Sequence, residues 1–198
     1  MRILAVADEE AKYFYDFYMP GRLDEFDLIL ACGDLKARYL EFLATMAHCP
    51  VLYVRGNHDD RFSKNPPEGC ICIENQIYEY QGIRILGLGG SYRYRDGENM
   101  YTEKQMKRRI QRVSLQLWKK KGFDILLTHA PAYGVNDLDS LSHRGFECFL
   151  DLISKYKPKY FIHGHVHRSY DHKIPKISVY EDTTVVNCLL YTSDAADD

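Results

Sequence analysis

The chain has 198 residues, 45% of them apolar and 27% charged, with a formal net charge of −2. That size suits one domain with a substantial core, and the near-neutral charge gives no argument for a strongly charged partner. No apolar run approaches the roughly 18 residues of a membrane span, and Met1 leads straight into strand-like sequence without a signal-peptide pattern. The six cysteines (Cys32, Cys49, Cys70, Cys72, Cys148 and Cys188) show no paired CxxC spacing. Reduced thiols in a cytoplasmic protein are therefore expected.

In chain order, apolar strand candidates fall at residues 2–7, 27–31, 51–54, 83–88, 123–128 and 159–162. Continuous runs such as LILA and ILL suit strands covered on both faces. Residues 176–180 and 183–187 read as a hairpin of more exposed strands. Cys70 and Cys72 fit alternation along a strand better than a metal site. Helices are expected between the strands. A short aromatic one spans 10–17, and a second spans 35–47 with Tyr39, Leu40, Leu43 and Met46 on one face. A third spans 101–120 with Met106, Ile110, Val113 and Leu117, and a fourth spans 146–156 with Phe146, Phe149, Leu150 and Ile153. The segments ILGLGGSYRYRDGEN and APAYGVNDLDSLSHRG read as long loops, which in a compact domain are usually functional or mobile.

Alternating strands and helices predict an α/β fold with a largely parallel central portion, as one domain over residues 1–187. The closing CLLYTSDAADD, residues 188–198, resembles a translated sequencing-library adaptor. It is read as a non-native tail, with the C-terminal strand cut short. Without Asp194, Asp197 and Asp198 the remaining chain is essentially neutral.

Sheets of this kind place ligand sites beyond the carboxyl ends of their strands. After RILAVA come Asp8, Glu9 and Glu10; after DLILAC come Gly33 and Asp34; after VLYVR come Gly56, Asn57, His58 and Asp59. After DILLT comes His129, and after YFI comes the run His163-Gly164-His165-Val166-His167. All these groups should gather on one sheet edge. The mixed oxygen and imidazole set suits Mn, Fe or Zn. It is too large for one tetrahedral site and fits two ions sharing a carboxylate. Gly33, Gly56 and Gly164 allow the backbone to turn sharply and approach closely just before a ligand.

GD at 33–34, GNHD at 56–59, THAP at 128–131 and GHVH at 164–167 resemble, in order and spacing, the motifs of the calcineurin-like metallophosphoesterases. The resemblance implies a four-layer α/β/β/α sandwich of two mixed sheets flanked by helices, and it implies two divalent metal ions. Position by position, Asp34 would bridge both ions, and Asp8 and His167 would bind the first. Asn57, His129 and His165 would bind the second. His58 would stand beside the phosphate as general acid or transition-state donor, held by Asp59, while a metal-bridging hydroxide attacks phosphorus. The implied substrate is a phosphodiester or a small phosphorylated molecule.

One position departs from the family pattern. Where Asp-x-His is common, this chain has Asp8-Glu9-Glu10. Glu10 as an oxygen ligand would tilt the first site toward Mn²⁺ or Fe²⁺ and away from Zn²⁺; a weak first site is the alternative. Glu9 is expected to point away. His163 reads as a structural histidine, and His48 and His172 as surface residues. His143 and Arg144, in the loop SHRG, are candidates to reach a phosphate over the site; the plainer reading is a solvated loop. The basic segment with Lys104, Lys107, Arg108, Arg109 and Arg112 is a solvated face or, with less support, a nucleic-acid surface. The aromatic-basic run Ser91-Tyr92-Arg93-Tyr94-Arg95 points weakly to a nucleotide-like substrate. The competing functions are a non-catalytic protein-binding scaffold of the same fold, and a nuclease.

Overall fold

The apolar runs become strands buried on both faces. In the computed structural model, which describes residues 1–166 and 175–188, β1 (Ile3–Val6), β2 (Leu28–Ala31), β3 (Val51–Tyr53) and β4 (Ile71–Cys72) form a parallel sheet in that order. Helix α1 (Ala37–Met46) connects β2 to β3. There follow β5 (Gln76–Tyr80), β6 (Ile83–Leu88), the short parallel pair β7 (Ser91–Tyr92) and β8 (Met100–Tyr101), and helices α2 (Glu103–Arg112) and α3 (Ser114–Lys119). The remaining elements are β9 (Ile125–Thr128), α4 (Glu147–Tyr156), β10 (Tyr160–His163), β11 (Ile177–Tyr180) and β12 (Thr183–Asn187). The second sheet runs β11-β12-β10-β9-β6-β5, parallel in its centre and antiparallel at both edges.

Alternation along the strands sorts their side chains into three core layers. Ile29, Ala31, Val51 and Tyr53 pack with Tyr39, Leu40 and Leu43 of α1. Leu28, Leu30 and Leu52 turn the other way and meet Ile85, Ile125, Leu127 and Ile162 between the sheets. Leu86, Leu126 and Phe161 face outward onto Met106, Leu117, Phe149 and Ile153 of the helices. Helix, sheet, sheet and helix thus stack as the expected four-layer sandwich. Because the central strands are parallel, the carboxyl ends of β1, β2 and β3 lie on one edge, and those of β9 and β10 likewise. Among the described residues no helix is long and apolar enough to cross a membrane.

Several expectations change. The helix at 10–17 reduces to one 3-10 turn, Lys12–Phe14, whose N-cap Ala11 offers no side-chain acceptor. Nucleating so short an aromatic helix is costly. Edge-on contacts of Phe14 with Phe26, and of Tyr15 and Tyr18 with Phe42, secure the segment without it. The helix at 101–120 starts with a Thr102–Gln105 capping box but breaks at Val113. Val113 stays buried while the chain redirects, and Gln116 Oε1 then accepts the Ile77 N–H of the edge strand β5 at 2.9 Å. Met46, at the frayed end of α1, is exposed. Cys72 lies in β4, as its alternation with Cys70 suggested, whereas the short strands β7 and β8 and the edge strand β5 carry no clear periodicity; QIYEY in β5 fully buries only Ile77. In the basic segment, Lys104, Lys107, Arg108 and Arg112 are solvated, but Arg109 is only 6% exposed. Of the tail at 188–198 only Cys188 is described; it is buried with its Sγ 3.2 Å from that of Cys32. His167 and His172 lie outside the described residues.

Candidate metal centre

Four of the expected ligands converge. Asp8 follows β1, Asp34 follows β2, His129 follows β9 and His165 follows β10, and one ligand atom from each lies within 4.8 Å of the others. Asn57 joins them: its Oδ1 is 3.0 Å from His129 Nε2, which is also 3.3 Å from Asp34 Oδ2. His129 is fully buried and Asp34 nearly so.

The backbone is strained to bring them there. Asp8, Asp34 and His165 have φ of 58°, 56° and 71°. The left-handed region costs a non-glycine residue on the order of 1 kcal/mol. Hydrogen bonds fix these turns. Asp8 N–H donates to the Gly33 carbonyl at 3.1 Å, and Asp8 Oδ2 accepts the His165 N–H at 2.9 Å. Asp34 Oδ1 accepts the His58 N–H at 2.7 Å. The carboxylates also need the neighbouring glycines. A Cβ on Gly164 would stand 2.5 Å from Asp8 Oδ2, and a Cβ on Gly56 would overlap Asp34 Oδ1.

Both imidazoles are oriented through one nitrogen. His129 Nδ1 donates to the Cys32 carbonyl at 2.8 Å, which turns Nε2 toward Asp34 and Asn57. His165 Nε2 donates to the Ser142 carbonyl at 2.7 Å, leaving Nδ1 for an ion. A backbone carbonyl behind a histidine fixes its tautomer and raises its basicity as a ligand.

The electrostatics call for positive charge. Burial opposes the imidazolium of His129, but Asp34, Asp8 and the bonds to Asp34 and Cys32 overcome it and push its pKa up to about 10. Asp34 is held down at about 2: burial works against its charge, and His129 and the His58 N–H more than offset it. His165 is pushed down to about 3 by burial and by the nearby His129. Two carboxylates, an amide oxygen and two imidazoles gather here, a donor set that fits a divalent cation. Asp8, Asp34, Asn57, His129 and His165 are the described residues that would hold it.

The other predicted residues are placed as follows. Glu10 is not brought into the group. Its Oε1 lies 3.1 Å from Lys36 Nζ, because the tight turn after Asp8 (Glu9 N–H to the Ala7 carbonyl) directs the chain away from the sheet edge. Glu9 is exposed. His58 is exposed at the mouth. Asp59 is buried, and its Oδ2 accepts the N–H groups of Asp34 and Gly56, both at 2.8 Å. It thus ties two ligand loops together, where the sequence suggested a clamp on the His58 ring. His163 is fully buried, donates from Nδ1 to the Gly164 carbonyl at 3.0 Å and is pushed down to about 4 by burial, as a neutral structural histidine. The His143 ring lies 5.4 Å from the His165 ring, tilted against it by 40°. Arg144 lies 5.3 Å and 4.8 Å from the rings of Tyr92 and Tyr133 and pairs with Glu147 at 3.3 Å. The sequence reading missed the carbonyls of Cys32 and Ser142 because backbone groups leave no mark on residue identity.

Acids and histidines gathered in this way at the carboxyl ends of parallel strands could hold a metal ion, and sequence comparison supplies the family. The chain belongs to the calcineurin-like phosphoesterase family, whose model matches residues 2–169. No match is found among curated proteins. Solved structures share the fold at low identity. TT1561 of Thermus thermophilus is 18% identical with a TM-score of 0.59, over 93% of this chain and 87% of that one. Phosphopantetheinyl hydrolase from Mycobacterium tuberculosis is 14% identical with a TM-score of 0.59, over 94% and 88%. The anchor in the inner membrane complex of Plasmodium is 15% identical with a TM-score of 0.54, over 95% and 71%.

Proposed function

We propose that the protein hydrolyses a phosphate ester, most readily a small phosphodiester, with two divalent ions at this centre. The observation that carries the reading is the convergence of Asp8, Asp34, His129 and His165 within 4.8 Å at the carboxyl ends of four strands. When bound, the ions supply Lewis acidity for the phosphoryl oxygens and a water nucleophile at neutral pH. On the family pattern Asp34 would be the carboxylate shared by the two ions, and His167 would join the ligands. The mixed oxygen and nitrogen set accommodates Mn, Fe or Zn. Glu10 lies beside Lys36 and outside the cluster of four, so the choice among these metals does not rest on it.

His58 is the residue for the leaving group. Its backbone is fixed on Asp34 while its ring is free to meet a ligand at the mouth. A protonated imidazole there stabilises or protonates the departing alkoxide. His143 and Arg144 stand on the substrate side, where the Arg144 guanidinium is held between Tyr92 and Tyr133 for a phosphate oxygen.

The test is turnover by metal-stripped protein of an aryl phosphodiester and an aryl phosphomonoester, each with Mn²⁺, Fe²⁺, Zn²⁺ or Mg²⁺. Metal-dependent turnover with the diester preferred is expected. No turnover with any ion would overturn the reading in favour of a binding scaffold.

A further inference from the structure

Arg109 carries a role that neither its helix nor the metal centre accounts for. It sits among exposed cations on α2, yet its side chain is 7% exposed and reaches across to Glu74, itself 12% exposed. The Arg109 Nη2 donates to Glu74 Oε2. Its Nη1 donates to the Gly89 carbonyl at 2.6 Å and its Nε to Asn75 Oδ1 at 2.7 Å, and the guanidinium stacks 4.2 Å from the Tyr101 ring centroid. Glu74 uses its remaining capacity on backbone. Its Oε1 accepts the Arg55 N–H at 2.8 Å and its Oε2 the Gly89 N–H at 3.3 Å. The Arg55 carbonyl in turn accepts the Gly90 N–H at 2.6 Å.

Arg55 is therefore gripped at both its amide and its carbonyl, and it is the residue immediately before Gly56-Asn57-His58-Asp59. That loop has two anchors. Asp59 fastens it to Asp34 within the first sheet, and Glu74 with Arg109 fastens it to the end of β6 in the second. A Cβ on Gly89 would collide with both Glu74 and the Arg55 backbone, so the fit leaves no slack. A buried ion pair is a poor source of net stability, because desolvation offsets the attraction. What three donors converging on one carboxylate provide is position.

We propose that Glu74 and Arg109 are positioning residues for the metal centre: their buried pair sets the place of the Arg55–Asp59 loop, and through it the Asn57 oxygen and the His58 ring. The proposal rests on the metal-centre reading above and adds a control of ligand geometry from the opposite sheet.

The experiment compares wild type with the double variant Glu74→Gln/Arg109→Met, which removes both charges together and leaves no unpaired ion. Arg109→Lys keeps the charge but cannot make all three contacts. Asp124→Asn breaks a different arginine pair on the same sheet, remote from the loop. Each is measured by calorimetric Mn²⁺ titration, thermal unfolding and steady-state kinetics on the aryl phosphodiester. For the double variant and Arg109→Lys, Mn²⁺ affinity and kcat should each fall by roughly tenfold with KM nearly unchanged, the scale of losing a partner that orients a ligand. Asp124→Asn should lower the Tm and leave both quantities alone. If the double variant does not fold, Arg109→Lys carries the same readouts. Variants that bind Mn²⁺ and turn over within twofold of wild type, or an equal loss in Asp124→Asn, would overturn the proposal. Absence of Mn²⁺ binding by wild type would instead overturn the metal-centre reading on which it rests.

Discussion

The second sheet carries an arginine–carboxylate pair at each end, and the two are unlike. Where β6 and β9 begin, Arg84 Nη2 and Nε donate to Asp124 at 2.6 and 2.9 Å, and its backbone N–H adds a third bond at 2.8 Å. This pair is about a third exposed, and it joins neighbouring segments of regular structure. At the other end, Arg109 and Glu74 are almost wholly buried and grip a loop that carries site residues. The same contrast holds for the backbone. Asp8, Asp34 and His165 take positive φ at the carboxyl edge, each held by a bond to another site residue or its flanking glycine. Ion pairs are the same chemistry at both ends, and left-handed residues occur at both, Gln81 and Lys121 standing before β6 and β9. What differs is burial and what they hold, so one end is built for stability and the other for placement.

Substitutions sharpen that contrast, and the largest effect belongs to the centre. Asp34→Asn should abolish turnover and reduce Mn²⁺ affinity by roughly a hundredfold or more, the upper scale for groups that control a metal site; retention of both would break the account. His58→Ala should leave Mn²⁺ affinity and Tm near wild type. It should lower kcat by about 10²–10⁴ on a poor leaving group and much less on an activated aryl ester. Equal losses on the two substrates would remove His58 from its leaving-group role.

Gly164→Ala should weaken Mn²⁺ binding by about tenfold, since its Cβ would press on Asp8 Oδ2. Glu10→Ala should leave Mn²⁺ affinity within about twofold, because Glu10 faces Lys36 and lies outside the cluster of Asp8, Asp34, His129 and His165. A tenfold loss would place Glu10 among the ligands after all.

The smallest effect lies at the other end. Asp124→Asn should cost about 1 kcal/mol after allowance for solvent screening, read as a lower Tm with unchanged kinetics. Hydrogen bonds from Arg84 hold the Asp124 carboxyl below its usual range. Its stabilisation is therefore present above the ordinary carboxylate pKa and is lost as the pH falls through the depressed folded value. The Tm gap between wild type and Asp124→Asn should close in acid; a gap that persists there would assign the effect to packing.

The carboxyl edge was legible because its ligands directly follow apolar runs. Asp8 after ILAVA, Asp34 after Gly33 and His129 after ILLT could be read as strand ends, and parallel topology then brings them together. The layers were legible for the same reason: Leu28 and Leu30 face one way, Ile29 and Ala31 the other. Directions of single side chains were not. The three acids after β1 look alike in sequence, but a left-handed residue and a tight turn send only Asp8 to the centre. Asp59 reads as a partner for its neighbour and is in fact bound to backbone amides across a loop. Arg109 belongs to a basic run, and its inward course depends on Glu74, 35 positions earlier, which no local pattern reveals.

On the proposed function, the convergent acids and histidines form a two-metal hydrolytic centre. Titrating metal-stripped protein with Mn²⁺ while following aryl phosphodiester hydrolysis tests it most directly. Two ions bound per chain are predicted, with turnover appearing as they bind and vanishing with a chelator. Hydrolysis that persists undiminished in chelator, or a protein that binds no ion at all, would contradict it.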